Sequence, residues 1–138
     1  MSQPASILAR SDDGALVHAL REGHPAAKHA HSAVARRAYG DEAKVAAVLS
    51  NLDTAPIEEP LRATLRMLRK LTREHAVTVD DMRAVLAAGV SRDQVEDALA
   101  VCFAFNTVGR LADAFGFFQP GPKAFEAGAK YSLARGYR

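Results

Sequence analysis

The stretch EGHPAAKHAHSAVARR, Glu22 to Arg37, sets His24, Lys28, His29 and His31 within eight residues, on either side of a proline. Imidazoles this close can ligate a metal or move protons near neutral pH. His24 and His31 lie seven residues apart, so a helix puts them on one face with Lys28 between them, while His29 points elsewhere. Chelation along a helix favours i, i+4 spacing, and no carboxylate lies among these residues, so the set lacks the make-up of a metal centre. A structural account needs less: His24 caps a helix, Lys28 is solvated, and His31 is partly buried against backbone. No metal and no other cofactor is expected.

A second set lies further along. Cys102, Asn106, Arg110 and Asp113 fall at i, i+4, i+8 and i+11, one polar seam on an otherwise apolar helix. A buried Arg110 needs a partner, and Asp113 at i+3 is within its reach, which makes an ion pair fixing helix packing or a subunit contact the plain expectation. The functional alternative makes Asn106 and Arg110, with Lys28, the lining of a pocket for an anionic substrate. Cys102 would then be a candidate peroxidatic thiol, although a mid-helix cysteine in apolar company has a raised pKa and is usually inert. Glu58 and Glu59, before Pro60, complement a helix dipole and are poor candidates for a general base.

Elements must position these groups, and apolar residues recur at helical spacing almost throughout. A first helix is expected over about Asp13 to Arg21, closed by Gly23. Pro25 suits the first turn of the next, which Gly40 stops. A third covers about Asp41 to Leu52, and the connector DTAP, Asp53 to Pro56, follows. Leu61, Leu65, Leu68 and Leu71 stripe a fourth. Thr78 with Asp81, and Ser91 with Gln94, have capping-box spacing, so two more helices start there, with Gly89 closing the one between. The helix from about Arg92 to Phe115 is apolar nearly all round, so it is expected at the buried centre. After the break GFFQPGP, a last helix covers about Lys123 to Ala134 and presents Phe125 and Tyr131 to a neighbour. The expected fold is all-α, one compact domain of six to seven helices over residues 1–138, with 1–11 as a loose tail.

Composition excludes more than it selects. The chain has 138 residues and a formal net charge of only +2, and its basic residues are dispersed, so no nucleic-acid or membrane partner is expected. The opening MSQPASILARSDD has neither a basic lead nor a useful apolar run, and the longest apolar run, Ala98 to Phe105, is far short of the ~20 residues of a membrane span. A soluble, cytoplasmic protein is expected. Cys102 is the single cysteine, which rules out an intrachain disulfide, a dithiol couple and a cysteine zinc site. LAAGVSRDQVEDAL has the outline of a DNA-binding helix-turn-helix, but its second helix opens with Asp93, Glu96 and Asp97, which repel phosphate.

Residues EEPLRATLRMLRKLTREHAVTVDDMRAVLAAGVSRDQVEDALAVCFAFNTVGRLADAFG resemble the second half of the alkylhydroperoxidase D-like (AhpD-like), carboxymuconolactone decarboxylase family. HSAVARR, His31 to Arg37, resembles the segment after that family's peroxidase motif, and the likeness spans about Asp12 to Phe117. The resemblance implies an all-α, homo-oligomeric, peroxidase-related protein of the oxidoreductase class. It also implies a C-x-x-C-x-x-x-H site in which a thiolate attacks a hydroperoxide, a second thiol resolves the product, and a histidine with an upstream acid relays protons. On this chain the motif's histidine falls on His31, its second cysteine on Ala27, its first on His24, and the acid near Asp12. Both sulfurs are missing, so the family's dithiol mechanism cannot run. Three roles stay open: a redox protein relying on Cys102, a cysteine-free acid–base enzyme of the lactone decarboxylase kind using His31 with Asp12 or Lys28, and a non-catalytic oligomer. Its partners would be its own copies and a small hydroperoxide or lactone.

Overall fold

The computed structural model describes the backbone of residues 25–118 and 120–135, and side chains from Ser32 onward. Among the described residues it is all-helical: α1 (Pro25–Tyr39), α2 (Glu42–Ser50), α3 (Glu59–Glu74), α4 (Val79–Ala87), α5 (Arg92–Phe115) and α6 (Pro122–Arg135), without strands. The expected helix over Asp13 to Arg21 lies outside the described residues.

Local signals set the helix ends. Asp41 caps α2 by accepting from the Lys44 N–H at 2.9 Å. Both capping boxes form, Thr78 with Asp81 at α4 and Ser91 with Gln94 at α5, so orphan N–H groups at each start are satisfied reciprocally. Gly89, at φ +90°, turns the chain between α4 and α5 in a conformation that a side chain would strain. The end of α3 carries no glycine. His75 occupies the left-handed region there, at φ +56°, a conformation in which histidine is enriched among non-glycine residues.

The leucine stripe of α3 feeds two cores rather than one. Leu68, with Met67 and Ala63, packs with Val85 and Val90 and with Val95, Ala98 and Cys102 of α5. Leu65, with Leu61 beside it, packs with Val48, Leu52 and Ala55. Arg62 ties down the connector between α2 and α3, donating to the carbonyls of Leu52, Asp53 and Ile57 at 2.8–2.9 Å and pairing with Glu59. Lys70 of α3 reaches Asp81 of α4 at 2.7 Å, so one carboxylate serves both a cap and an interhelical pair.

The buried helix is not the one its apolar composition nominates. Four consecutive residues of α1, Ser32 to Ala35, are buried, which requires neighbours on every side of the helix. Ala35 packs against Val45 of α2, while Ala33 and Val34 pack against Ala129 and Phe125 of α6. Small side chains permit this, because helices approach closely over alanine. By contrast, α5 joins the core through Val95, Ala98 and Cys102, with Leu99 packed beside them and Ala112 also covered further on. Phe103 (73% exposed), Val108, Leu111 and Phe115 (71%) stand in solvent. The expectation of a central, buried α5 is therefore corrected: one face is core and much of the rest is bare. By length and composition alone α5 is also sufficient to cross a membrane, the one such helix among the described residues.

Candidate functional site

The α5 seam meets the C-terminal end of α3 at a cleft of about 350 Å³, lined by Thr72, His75, Cys102, Asn106, Thr107 and Arg110 on its polar side and by Leu71, Leu99 and Phe103 on its apolar side. Helical periodicity explains the grouping on α5. Residues 99, 102, 103, 106, 107 and 110 recur every three or four positions and share one side of the helix. On α3, Leu71, Thr72 and His75 do the same, and the left-handed turn at His75 ends the helix at the cleft.

Cys102 sits at the floor. Asn106 donates its side-chain amide to the Cys102 carbonyl at 2.9 Å and to Sγ at 3.3 Å, and Thr72 Oγ1 lies 3.9 Å from Sγ. Burial pushes the thiol pKa up, against the smaller opposing influence of Thr72 and Asn106. The residue is 2% exposed. A raised pKa and a covered sulfur both suppress thiolate chemistry, so the geometry suits a packing cysteine.

Arg110 departs from expectation. It is exposed, not buried, and among the described residues it has no hydrogen-bonding or ionic partner. The demand for a compensating Asp113 came from assumed burial and does not apply. No carboxylate lines the cleft among the described residues, so its guanidinium is the dominant charge there.

The N-terminal set fares differently. Asp12 and His24 lie outside the described residues. Lys28 and His31 lie on α1, whose backbone is helical there, but their side chains are outside the described range. The described neighbours of α1 are α2 and α6, and no described residue of α1 lines the Cys102 cleft. Among the described residues no three histidine, cysteine or acidic groups gather as a metal site would require.

A second groove, about 600 Å³, runs between α3 and α4 past Arg66, Arg69, Lys70 and Arg73. Its cations are engaged: Arg66 with Asp53 at 2.6 Å and with Glu59 at 3.2 Å, Arg69 with Asp53 at 3.5 Å, and Lys70 with Asp81 at 2.7 Å. The Arg66 hydrogen bond, with the nearby charges of Arg66 and Arg69, lowers the Asp53 pKa despite some desolvation. The Lys70 hydrogen bond, then the Thr78 N–H and hydroxyl, bring Asp81 down to about 2. The groove is an ion-pair network rather than an open cationic site.

Thr72, His75 and Thr107 are polar cleft residues that no motif in the sequence marks. His75 stands at the end of a striped helix where a stop was needed and no glycine was supplied. That mismatch was the available signal. No protein-family model matches this sequence, and no significant relative emerges among curated proteins.

Proposed function

We propose that this chain is an AhpD-like, peroxidase-related protein that has left the dithiol route and serves as a homo-oligomer, its copies packing through the bare face of α5. The carrying observation is that face. Phe103, Val108, Leu111 and Phe115 are 46–73% exposed, and Phe117, whose ring stacks on Phe115 at 6.2 Å, and Phe118 extend the patch. Taking about 200 Å² for a fully bare phenylalanine, these groups present roughly 700 Å² of apolar surface. That exceeds the largest patch of a typical monomer, about 300–600 Å². It approaches the about 800 Å² per partner of a stable interface.

A second copy suits the patch better than a bilayer does. The first turns of α5 are already committed to the core through Val95, Ala98 and Cys102. Only the later turns are bare, fewer than the ~20 residues that a span needs. The same commitment argues against redox work by the single thiol, since Cys102, although it borders the cleft, is 2% exposed and burial raises its pKa.

Two measurements test this. Sedimentation equilibrium should show self-association at micromolar protein, and organic hydroperoxide with excess dithiol should not be consumed faster by wild type than by Cys102→Ser. A monomer across the whole concentration range refutes the assembly. Turnover that vanishes in Cys102→Ser refutes the loss of thiol chemistry. If detergent or lipid vesicles were needed to keep the protein in solution, the bilayer would replace the second copy as the cover for α5.

A further inference from the structure

Three features outside the α5 face compete for a role: the ion-pair groove between α3 and α4, a small apolar cavity beneath Tyr39, and the cleft between α3 and α5. The groove holds the most cations, but Arg66, Arg69 and Lys70 are matched by Asp53, Glu59 and Asp81. A ligand there would have to break pairs already made. The apolar cavity, about 10 Å³, is too small for any organic molecule.

The cleft has the opposite character. Its volume, about 350 Å³, falls in the range that holds small organic ligands. Arg110 brings a permanent positive charge with no partner among the described residues. His75, facing the same cleft, is likewise without a partner there and carries ring N–H donors. Phe103, Leu99 and Leu71 supply an apolar wall. Both amide hydrogens of Asn106 are directed at Cys102, so its amide oxygen is the group left to accept. A guanidinium binds carboxylate with two parallel hydrogen bonds, and an apolar wall beside it selects an acid with an apolar body over a bare inorganic anion.

From this arrangement we propose that the cleft between α3 and α5 is a binding site for a small monocarboxylic acid bearing an aromatic or aliphatic body. Arg110 holds the carboxylate, His75 donates a second hydrogen bond to it, and Phe103 and Leu99 cover the body. Cys102 takes no part beyond closing the floor. The site requires neither a thiol nor a metal; it shares Phe103 with the apolar face of α5, and Arg110→Gln probes the cleft without touching that face.

The test is a titration of the intact chain with benzoate, with benzamide and sulfate as the paired controls, followed by amide chemical shifts and calorimetry. Benzoate at up to about 10 mM should saturate, with shifts concentrated at residues 71–76 and 99–110, whereas benzamide and sulfate should each bind at least about tenfold more weakly. Arg110→Gln should weaken benzoate at least about tenfold while leaving the unfolding midpoint unchanged, since the guanidinium has no partner among the described residues. Arg66→Gln, in the ion-pair groove, should leave benzoate affinity unchanged. Three results overturn the proposal: no saturable benzoate binding, sulfate binding as tight as benzoate, or benzoate affinity that survives Arg110→Gln. If affinity falls with Arg66→Gln instead, the groove and not the cleft is the anion site.

Discussion

Truncating Phe115 to alanine should separate assembly from folding. The ring is 71% exposed, so it offers about 140 Å² of the roughly 200 Å² of a whole phenylalanine. Covering that area by a second copy contributes about 3.5 kcal/mol at about 25 cal/mol per Å². Ordering the side chain at an interface costs about 1 kcal/mol. The remainder, about 2.5 kcal/mol for each ring covered, weakens association about 70-fold. Within one chain the loss is small, because the ring's described partner is Phe117, itself half exposed, and a stacked pair of this kind contributes about 1 kcal/mol at most in solvent. Sedimentation equilibrium over a wide concentration series gives the association constant. Urea unfolding at a concentration where both proteins are monomeric gives the stability. An association constant unchanged by Phe115→Ala refutes the assignment of this face, and a large loss of monomer stability shows that the ring is core and not surface.

Other perturbations probe other layers. Leu68→Ala, at the one described leucine with no exposed surface, should cost about 2–5 kcal/mol in urea unfolding, because it removes a side chain shared by α3, α4 and α5 and leaves a cavity. Ser91→Ala should cost about 1 kcal/mol through loss of the Gln94 N–H acceptor at the start of α5, with Ser91→Gly milder. Cys102 should resist maleimide in native protein at neutral pH and react promptly in urea, since burial both covers the sulfur and raises its pKa; fast native labelling would contradict the packing. Asp81 has a folded pKa of about 2 against an ordinary 3.8, so its contribution is complete above the ordinary value and is lost as pH falls through about 2. Unfolding midpoints of wild type and Asp81→Asn should therefore differ at pH 5 and converge below pH 2, and parallel curves would show that the Lys70 and Thr78 contacts do not hold this carboxylate.

The boundaries of the described helices were legible in the chain because they depend on neighbours in sequence. Capping boxes at Thr78 and Ser91, and the glycines at 40, 89 and 116, act over three or four residues, and those stops need no tertiary partner. The apolar stripe of α3 was legible for the same reason. The absence of a dithiol couple within the chain was legible outright, since there is one cysteine. Burial was not. Apolar composition marked α5 as the centre, yet the turn enclosed on all sides is Ser32 to Ala35 of α1, because alanines at 33 and 35 allow close approach by α2 and α6 while the rings of α5 outnumber the neighbours available to cover them. Likewise, spacing aligned Cys102, Asn106 and Arg110 on one side of a helix but could not supply the opposite wall. That wall is Thr72 and His75, about thirty residues before Cys102 in sequence and brought alongside only by the packing of α3 on α5. Periodicity determines which residues of one helix share a face; which face meets water, and which meets another helix, is settled by the volumes that all the helices must fill together.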